Sequence, residues 1–362
     1  MMISFLENNS IILPILAFLS VVVLTPLAIR VAPFFKLVDA PDGPHGRKQH
    51  EVPVPLIGGL IIFPVFIAVA ILAGFSWETH WSLYSAIALL LFTGAVDDKI
   101  HLHSMVKFVI QFCAAGLIII PGGAQIHSLG NLFGLGAFGL GLMSLPFSFA
   151  AVVLLINAVN LMDGLDGLAA GFCAIALGWM AFGFFTVGYT GGFYIIIILI
   201  AAIAGFLIYN MRHPLRKRAS LFLGDAGSLS LGLCVAWFAM HVGKGIDAAA
   251  LSPISVAWIL AIPIMDTCAQ FYRRVRLGRH PFSPDRGHLH HHFVHAGMRD
   301  GRATGFILIM AFLTGAFGVI GVLLGIPLVA VTIIWVVALL SHMAYSDVPE
   351  RYIALISKCV KR

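Results

Sequence analysis

Hydrophobic residues dominate this chain in long uninterrupted stretches. Runs of near-spanning length fall at about 11–33, 56–74, 81–96, 104–121, 145–161, 168–187, 191–211, 220–240, 254–271, 304–324 and 326–345. Roughly 20 apolar residues in helix cross the hydrocarbon core of a bilayer. The pattern predicts an all-α, polytopic membrane protein of about eleven transmembrane helices, forming a single domain over 1–362. Several runs are short or broken by Gly and Pro, which a membrane tolerates where the backbone is buried in protein or lines a polar cavity. No soluble domain, low-complexity tract or clear internal repeat stands out. The first run does not read as a signal peptide: Glu7 but no Lys or Arg precedes it, and no small-residue cleavage site ends it.

Composition agrees. Hydrophobic residues make up 60% of the 362 and charged residues only 10%, against roughly 25% charged in a soluble domain. Mean hydropathy is +0.99. So few charges cannot build a water-facing surface, so most of the surface must face lipid. The five cysteines, Cys113, Cys173, Cys234, Cys268 and Cys359, show no CxxC spacing and suggest neither a disulfide framework nor a cysteine zinc site.

The net charge of +6 follows topology rather than nucleic acid. With the N-terminus outside and the C-terminus inside, the inside segments are roughly 34–55, 97–103, 162–167, 212–219, 272–303 and the C-terminal tail. Of the 22 Lys and Arg residues, only Lys244 then falls outside, and Lys107 sits near the inner end of a helix. The positive-inside rule favours this orientation. Two dense basic clusters, Arg212/Arg216/Lys217/Arg218 and Arg273/Arg274/Arg276/Arg279, read first as topology anchors and headgroup contacts.

The acidic residues say more. Asp97 and Asp98 end the third run in GAVDDKIHL, Asp163 and Asp166 follow the fifth in NAVNLMDGLDGLAAG, Asp225 lies in LFLGDAGSLSLG, and Asp266 in PIMDTC. Carboxylates at membrane depth are expensive and mark function by default. Any one of them could simply cap a helix; the set, on separate helices at one leaflet, suits a divalent cation and phosphate. Magnesium uses one or two carboxylates and completes its octahedron with water and substrate phosphate. Asn157 and Asn160, three apart, share a helix face and could offer amide oxygens to a cation. Gly164, Gly167, Gly224 and Gly227 would allow phosphate to approach the backbone, and equally mark turns.

The last inside loop reads RRVRLGRHPFSPDRGHLHHHFVHAG. If it is helical from His288, then His288, His291, His292 and His295 share a face and His290 lies off it. A zinc site, a plain solvated loop, and a phosphate-binding loop built with Arg279 and Arg286 are the competing readings, the last favoured by the bidentate chemistry of arginine. In the first inside loop, Arg47, Lys48 and His50 precede a Pro-rich return to the membrane, compatible with anion binding or with anchoring.

Taken in order, RKQHEVPVPLIGG, VDDK, NAVNLMDGLDG, FLGDAGS and PFSPDRGHLHH resemble the polyprenyl-phosphate N-acetylhexosamine-1-phosphate transferase family over most of the chain. PFSPDRGHLHH is most similar to the branch of bacterial undecaprenyl-phosphate GlcNAc-1-phosphate transferases. Phospho-MurNAc-pentapeptide transferases share the DD, DGLDG and HHHF elements, and HLHHHF aligns to either branch. The resemblance implies a bacterial inner-membrane enzyme with its site facing the cytoplasm. It would move a sugar-1-phosphate, most simply GlcNAc-1-phosphate, from a UDP-sugar to undecaprenyl phosphate and release UMP, as the first membrane step of a surface glycan such as O-antigen or teichoic acid. It implies magnesium, with manganese as a substitute. Asp225 matches the metal ligand, with Asn160 a second; Asp97 matches a base beside Asp98; Lys107 stands on the lipid-phosphate side. Lys48, Asn157, Asp163, Gly164, Asp166 and Phe222 fall on the substrate side, as do Arg279, Arg286, His288, His290 and His291. A transporter is the rival class, but would place its polar groups near the midplane and open to both sides. Oligomeric state, a homodimer included, is left open.

Overall fold

A computed structural model describes residues 11–40, 53–212, 216–243, 250–280 and 287–360. Arg47, Lys48, His50, Lys244, Pro281, Pro284 and Arg286 lie outside the described residues.

Each apolar run has become helix. In chain order these are α1 (Ile12–Val31), α2 (Gly58–Leu72), α3 (Trp77–Ile100), α4 (Ser104–Ile119), α5 (Ser144–Met162), α6 (Leu168–Thr186), α7 (Thr190–Asn210), α8 (Gly224–Val242), α9 (Pro253–Ile259), α10 (Ala261–Arg276), α11 (Leu289–His295), α12 (Asp300–Leu323), α13 (Leu328–Ser346) and α14 (Pro349–Val360). Helix is the necessary outcome for single spans, because lipid offers no partner for backbone N–H and C=O groups. Among the described residues, eight helices are long and apolar enough to cross a membrane. The pair α9–α10, bent by 76° at Leu260, makes a ninth if it is one span. The helices α2 and α4 are apolar but shorter. The chain is thus an all-α, multi-pass membrane protein.

The centre of the bundle is α8, almost every residue of which is buried. It packs against α2, α3, α5 and α6. Glycine makes the approach possible. A Cβ added at Gly94 of α3 would collide with the backbone of Asp225 and Ala226, one at Gly59 of α2 with Gly227, and one at Gly232 of α8 would come 2.7 Å from the Ile156 Cα of α5. In lipid, where apolar side chains gain nothing by leaving the solvent, such small-residue seams supply the close packing that holds helices together. The outer helices α1 and α13, by contrast, carry large exposed side chains such as Val23, Leu27, Ile333 and Leu340, as lipid contact requires.

Beside the start of α8 lies a small patch of sheet. Strand β1 (Val38–Asp39) pairs antiparallel with β2 (Val54–Pro55), and the chain at Leu56 bridges in parallel to Phe222. Phe222 N–H donates to the Pro55 carbonyl (2.8 Å), while Gly58 and Gly59 N–H donate to the Phe222 and Leu223 carbonyls (both 3.0 Å). The VPVPLIGG and LFLGD segments are therefore zipped together although about 165 positions of sequence separate them.

Gly94→Ala should lower the melting temperature of the detergent-solubilised protein, with a cost of about 1–3 kcal/mol for overpacking. Gly178→Ala, whose Cβ would meet open space, should leave the melting temperature unchanged or slightly raised.

Candidate active site

The turn into α8 sets the geometry. Gly224 takes φ +74°, a left-handed conformation natural to glycine, and a side chain there would press on Asp98 Oδ2, 2.7 Å from the added Cβ. This turn lets Asp98, near the end of α3, accept a hydrogen bond from the Asp225 backbone N–H at 3.0 Å. One helix end thus caps another, satisfying a donor that has no intrahelical partner. Asp97, next in sequence, points elsewhere. It accepts the Leu102 N–H (2.6 Å) and the Lys107 ammonium (2.7 Å).

Lys107 also lies 3.4 Å from Asp225 Oδ2. On the other side, Asn160 Nδ2 donates to Asp225 Oδ1 and to Ser228 Oγ, both at 2.9 Å. The Asp225 carboxylate is half-buried and held from two sides, by a cation from α4 and an amide from α5. The Asp98 Oδ2 atom is buried without a hydrogen-bond partner.

These groups stand beside a cavity of about 970 Å³, at the upper end of small-molecule sites. Asp98, Asn160, Asp163, Gly164, Asp166, Phe222, Asp225 and His291 all line it. Asp163 is exposed on the cavity wall; the surrounding protein, and then the negative charges of Asp225, Asp98 and Asp166, raise its carboxyl above the ordinary carboxylate range. Asp166 is paired with Arg212 (2.6 Å), which reaches Asp300 with its other arm (3.0 Å). Arg212, Lys217 and Arg218 line the cavity too, so part of the cluster read from sequence as anchoring faces the site.

The histidines divide. His291 and His295, one turn apart, line the cavity. His290 is buried, with its ring against Gly164: a Cβ there would overlap the imidazole. Burial, then the neighbouring His291, brings the His290 imidazole down to about 3, so it is neutral near pH 7. His288 and His292 turn away from the cavity and are buried, His288 against Asp266 and His292 against Tyr352. Among the described residues no three His, Cys, Asp or Glu side chains converge as a metal cage, so the zinc reading finds no support there.

Of the remaining expected residues, Asn157 is engaged with Gln111, its Nδ2 donating to Gln111 Oε1 at 2.7 Å, and is absent from the cavity lining. Asp97 and Lys107 stand behind Asp225 rather than on the lining, and Arg279 is exposed beyond the end of α10. Lys48 and Arg286 lie outside the described residues. Several lining residues escaped the sequence reading, Asp39, Asn210, Ser220 and Asp300 among them. Asn210, at the end of α7, accepts the Gly167 N–H (2.8 Å) and donates to the Leu221 carbonyl (2.9 Å). It ties the DGLDG turn to the segment that leads into α8. Its signal was a polar residue at the end of an apolar run.

Comparison with known proteins adds the following. Residues 80–243 match the model for glycosyl transferase family 4. The chain is 34% identical over 281 residues to an undecaprenyl-phosphate alpha-N-acetylglucosaminyl 1-phosphate transferase of Yersinia pestis, covering 77% of this chain and 76% of that one. Against the protein of the same description from Escherichia coli K12 the identity is 34% over 286 residues, 79% and 77% of the two chains. A probable undecaprenyl-phosphate N-acetylglucosaminyl 1-phosphate transferase of Bacillus subtilis is 33% identical over 305 residues, 83% and 81% of the two.

The raised Asp163 carboxyl makes a stability prediction for protein held in chelator. A carboxyl whose folded pKa lies above its unfolded value binds its proton more tightly when folded, so stability falls as pH rises from about 4 towards 8. Asp163→Asn removes that penalty. Its melting temperature should exceed that of the wild type at pH 8 by a small margin, because water screens an exposed carboxyl, with a smaller gap still at pH 5. A gap that is constant across this range would contradict the assignment.

Proposed function

On the footing that this chain belongs to the polyprenyl-phosphate N-acetylhexosamine-1-phosphate transferase family, glycosyl transferase family 4, we propose that it transfers GlcNAc-1-phosphate from UDP-GlcNAc to undecaprenyl phosphate. The products are UMP and a lipid-linked diphosphate sugar, the starting lipid of a cell-surface glycan. The observation that carries this reading is Asp225 itself. A half-buried carboxylate stands at a glycine turn, braced by Lys107 and Asn160, beside a cavity with acids on one part of its wall and Arg212, Lys217 and Arg218 on another. The GlcNAc named for the relatives favours that sugar over the MurNAc-pentapeptide alternative. The crowding of polar groups at one end of the bundle speaks against a transporter.

The residues present fit a magnesium ion. Asp225 offers oxygen to a hard cation, Asp98 Oδ2 has no partner, and the absence of a closed cage among the described residues accords with an ion that completes its shell with water and phosphate. Asp225 would hold it, with Asn160 turning its amide oxygen inward as a second ligand and manganese able to substitute. Bound there, the cation supplies neutralisation of the diphosphate charge.

The chain's own residues do the rest. Two phosphates repel each other as they approach, and positive side chains lower that barrier. Lys107, held by Asp97 and Asp225, meets the acceptor phosphate as it enters from the bilayer. A phosphomonoester has a second pKa of about 6, so the lipid phosphate is already largely ionised and can attack directly. Asp97 then orients Lys107 rather than removing a proton. Phe222 stacks on uracil, Asp163, Asp166 and Gly164 fix the nucleoside, and His291 with Arg212, Lys217 and Arg218 faces the diphosphate. Lys48 and Arg286 complete the donor side in this reading. Eleven spans with the N-terminus outside put the site at the cytoplasmic face, where nucleotide sugars are, in agreement with the positive-inside bias.

Two tests follow, both read as UMP release and substrate titration. Asp225→Asn should nearly abolish turnover in a protein that still folds, and chelator should do the same to the wild type. Phe222→Ala should weaken UDP-sugar binding about tenfold, in line with roughly 1–3 kcal/mol for a base–aromatic stack, with undecaprenyl-phosphate affinity unchanged. Undiminished activity of Asp225→Asn, or loss of lipid binding alone in Phe222→Ala, contradicts these roles.

A further inference from the structure

One membrane-depth carboxylate has no part in this chemistry. Asp266, on α10, is buried and does not line the cavity. Its oxygens are fully engaged with the start of the histidine helix. Oδ2 lies 2.9 Å from His288 Nδ1, and Oδ1 accepts the Leu289 N–H at 2.8 Å. One turn further along the same face of α10, Gln270 Nε2 donates to the Gly287 carbonyl at 2.5 Å. One turn beyond that, Arg274 Nη2 approaches His288 Nε2 at 3.4 Å. Arginine can only donate, so His288 Nε2 is the acceptor, and the ring proton sits on Nδ1, aimed at Asp266. The three residues of one helical stripe, spaced i, i+4 and i+8, thus hold Gly287, His288 and Leu289 in succession.

The same carboxylate looks towards the C-terminal helices. His342 Nε2 of α13 lies 3.8 Å from Asp266 Oδ1, and Tyr352 of α14 reaches His342 Nδ1 at 3.3 Å. Leu289 is the first residue of α11, a helix of only 7 residues, too short to hold itself in place without tertiary contacts. What α11 carries matters to the cavity: His291 and His295 on the lining, and His290 over Gly164.

We propose that Asp266 is a positioning residue for the transfer reaction, which fixes α11 against the cavity through His288 and Leu289 and links that placement to α13 and α14 through His342. His288 accordingly acts on the donor substrate through the geometry of the helix it starts, not by touch. The proposal rests on the reading of the cavity as the UDP-sugar site.

The test has two arms. Hydrogen–deuterium exchange on purified full-length protein in detergent reads position without turnover. In Asp266→Asn, amides across 289–297 should exchange at least tenfold faster, with α3, α5 and α8 unchanged. Kinetics read the consequence: kcat/KM for UDP-GlcNAc should drop at least tenfold, KM for undecaprenyl phosphate should stay within twofold, and Asp266→Glu, which keeps the carboxylate, should recover much of the loss. Unchanged exchange in 289–297 overturns the proposal, as does equal damage to both substrates. If Asp266→Asn does not fold, Gln270→Leu leaves the buried charge paired and removes only the Gly287 anchor. It should still raise exchange in that segment and weaken the donor about threefold, and no effect on either overturns the proposal. A wild type inert towards UDP-GlcNAc would instead remove the cavity assignment, while the exchange arm would still stand.

Discussion

The site depends on one constraint: the first turn of α8 must lie in backbone contact with two other helices. Gly59 and Gly94 leave no side chain between α8 and its neighbours α2 and α3, and Asp98 takes the Asp225 N–H across that seam. This contact seats Asp225 against α3, and the pair of Asp97 on α3 with Lys107 on α4 is brought to it. A carboxylate in such a place has to be offset by partners, since an unpaired charge out of water costs several kcal/mol. Lys107 and Asn160 are those partners. The same economy gathers the carboxyls of Asp98, Asp163 and Asp225 at one cavity, an arrangement that the proposed divalent cation and the basic wall would complement.

The proposed substrates fit the two sides of this arrangement. An acceptor phosphate borne by a membrane lipid must arrive from the bilayer, whereas a nucleotide sugar must arrive from water. Lys107 lies on α4, an outer helix with lipid-exposed neighbours such as Val106 and Val109. Phe222, Asp163, Asp166 and His291 lie on the open cavity. Asp225 contacts Lys107 on one side and the cavity on the other, the place the proposed transfer assigns to attack of one phosphate on the other. The division also explains why so much of the polar apparatus is made of turns and helix ends. Only at those points can backbone donors and short carboxylates meet without unsatisfied groups in lipid.

The sequence made much of this legible, for physical reasons. Apolar runs forced helices, and each of the runs has one. Intramembrane acids stood out because they are costly, and Asp98, Asp163, Asp166 and Asp225 do gather at one cavity. What could not be read was direction. Adjacent Asp97 and Asp98 diverge by a helical step, one to Lys107 and one to α8. Asn157 and Asn160 share a face, yet only Asn160 reaches Asp225, because Gln111 of α4 captures the other. The histidine face expected from periodicity divides between the cavity and the buried contacts with Asp266 and Tyr352. Arg212 reads as an anchor until Asp166 and Asp300 are seen on either side of it. Such choices are made by partners remote in sequence, and periodicity within one helix carries no information about them.

In the proposed transfer phosphorus, not the glycosyl carbon, is the centre attacked. This is tested by the nucleotide released when purified protein, magnesium, undecaprenyl phosphate and UDP-GlcNAc are incubated together. The expected nucleotide is UMP, formed only when the lipid phosphate is present and in equal amount with a lipid-linked GlcNAc diphosphate. Release of UDP, or nucleotide release that does not depend on the lipid, would contradict it.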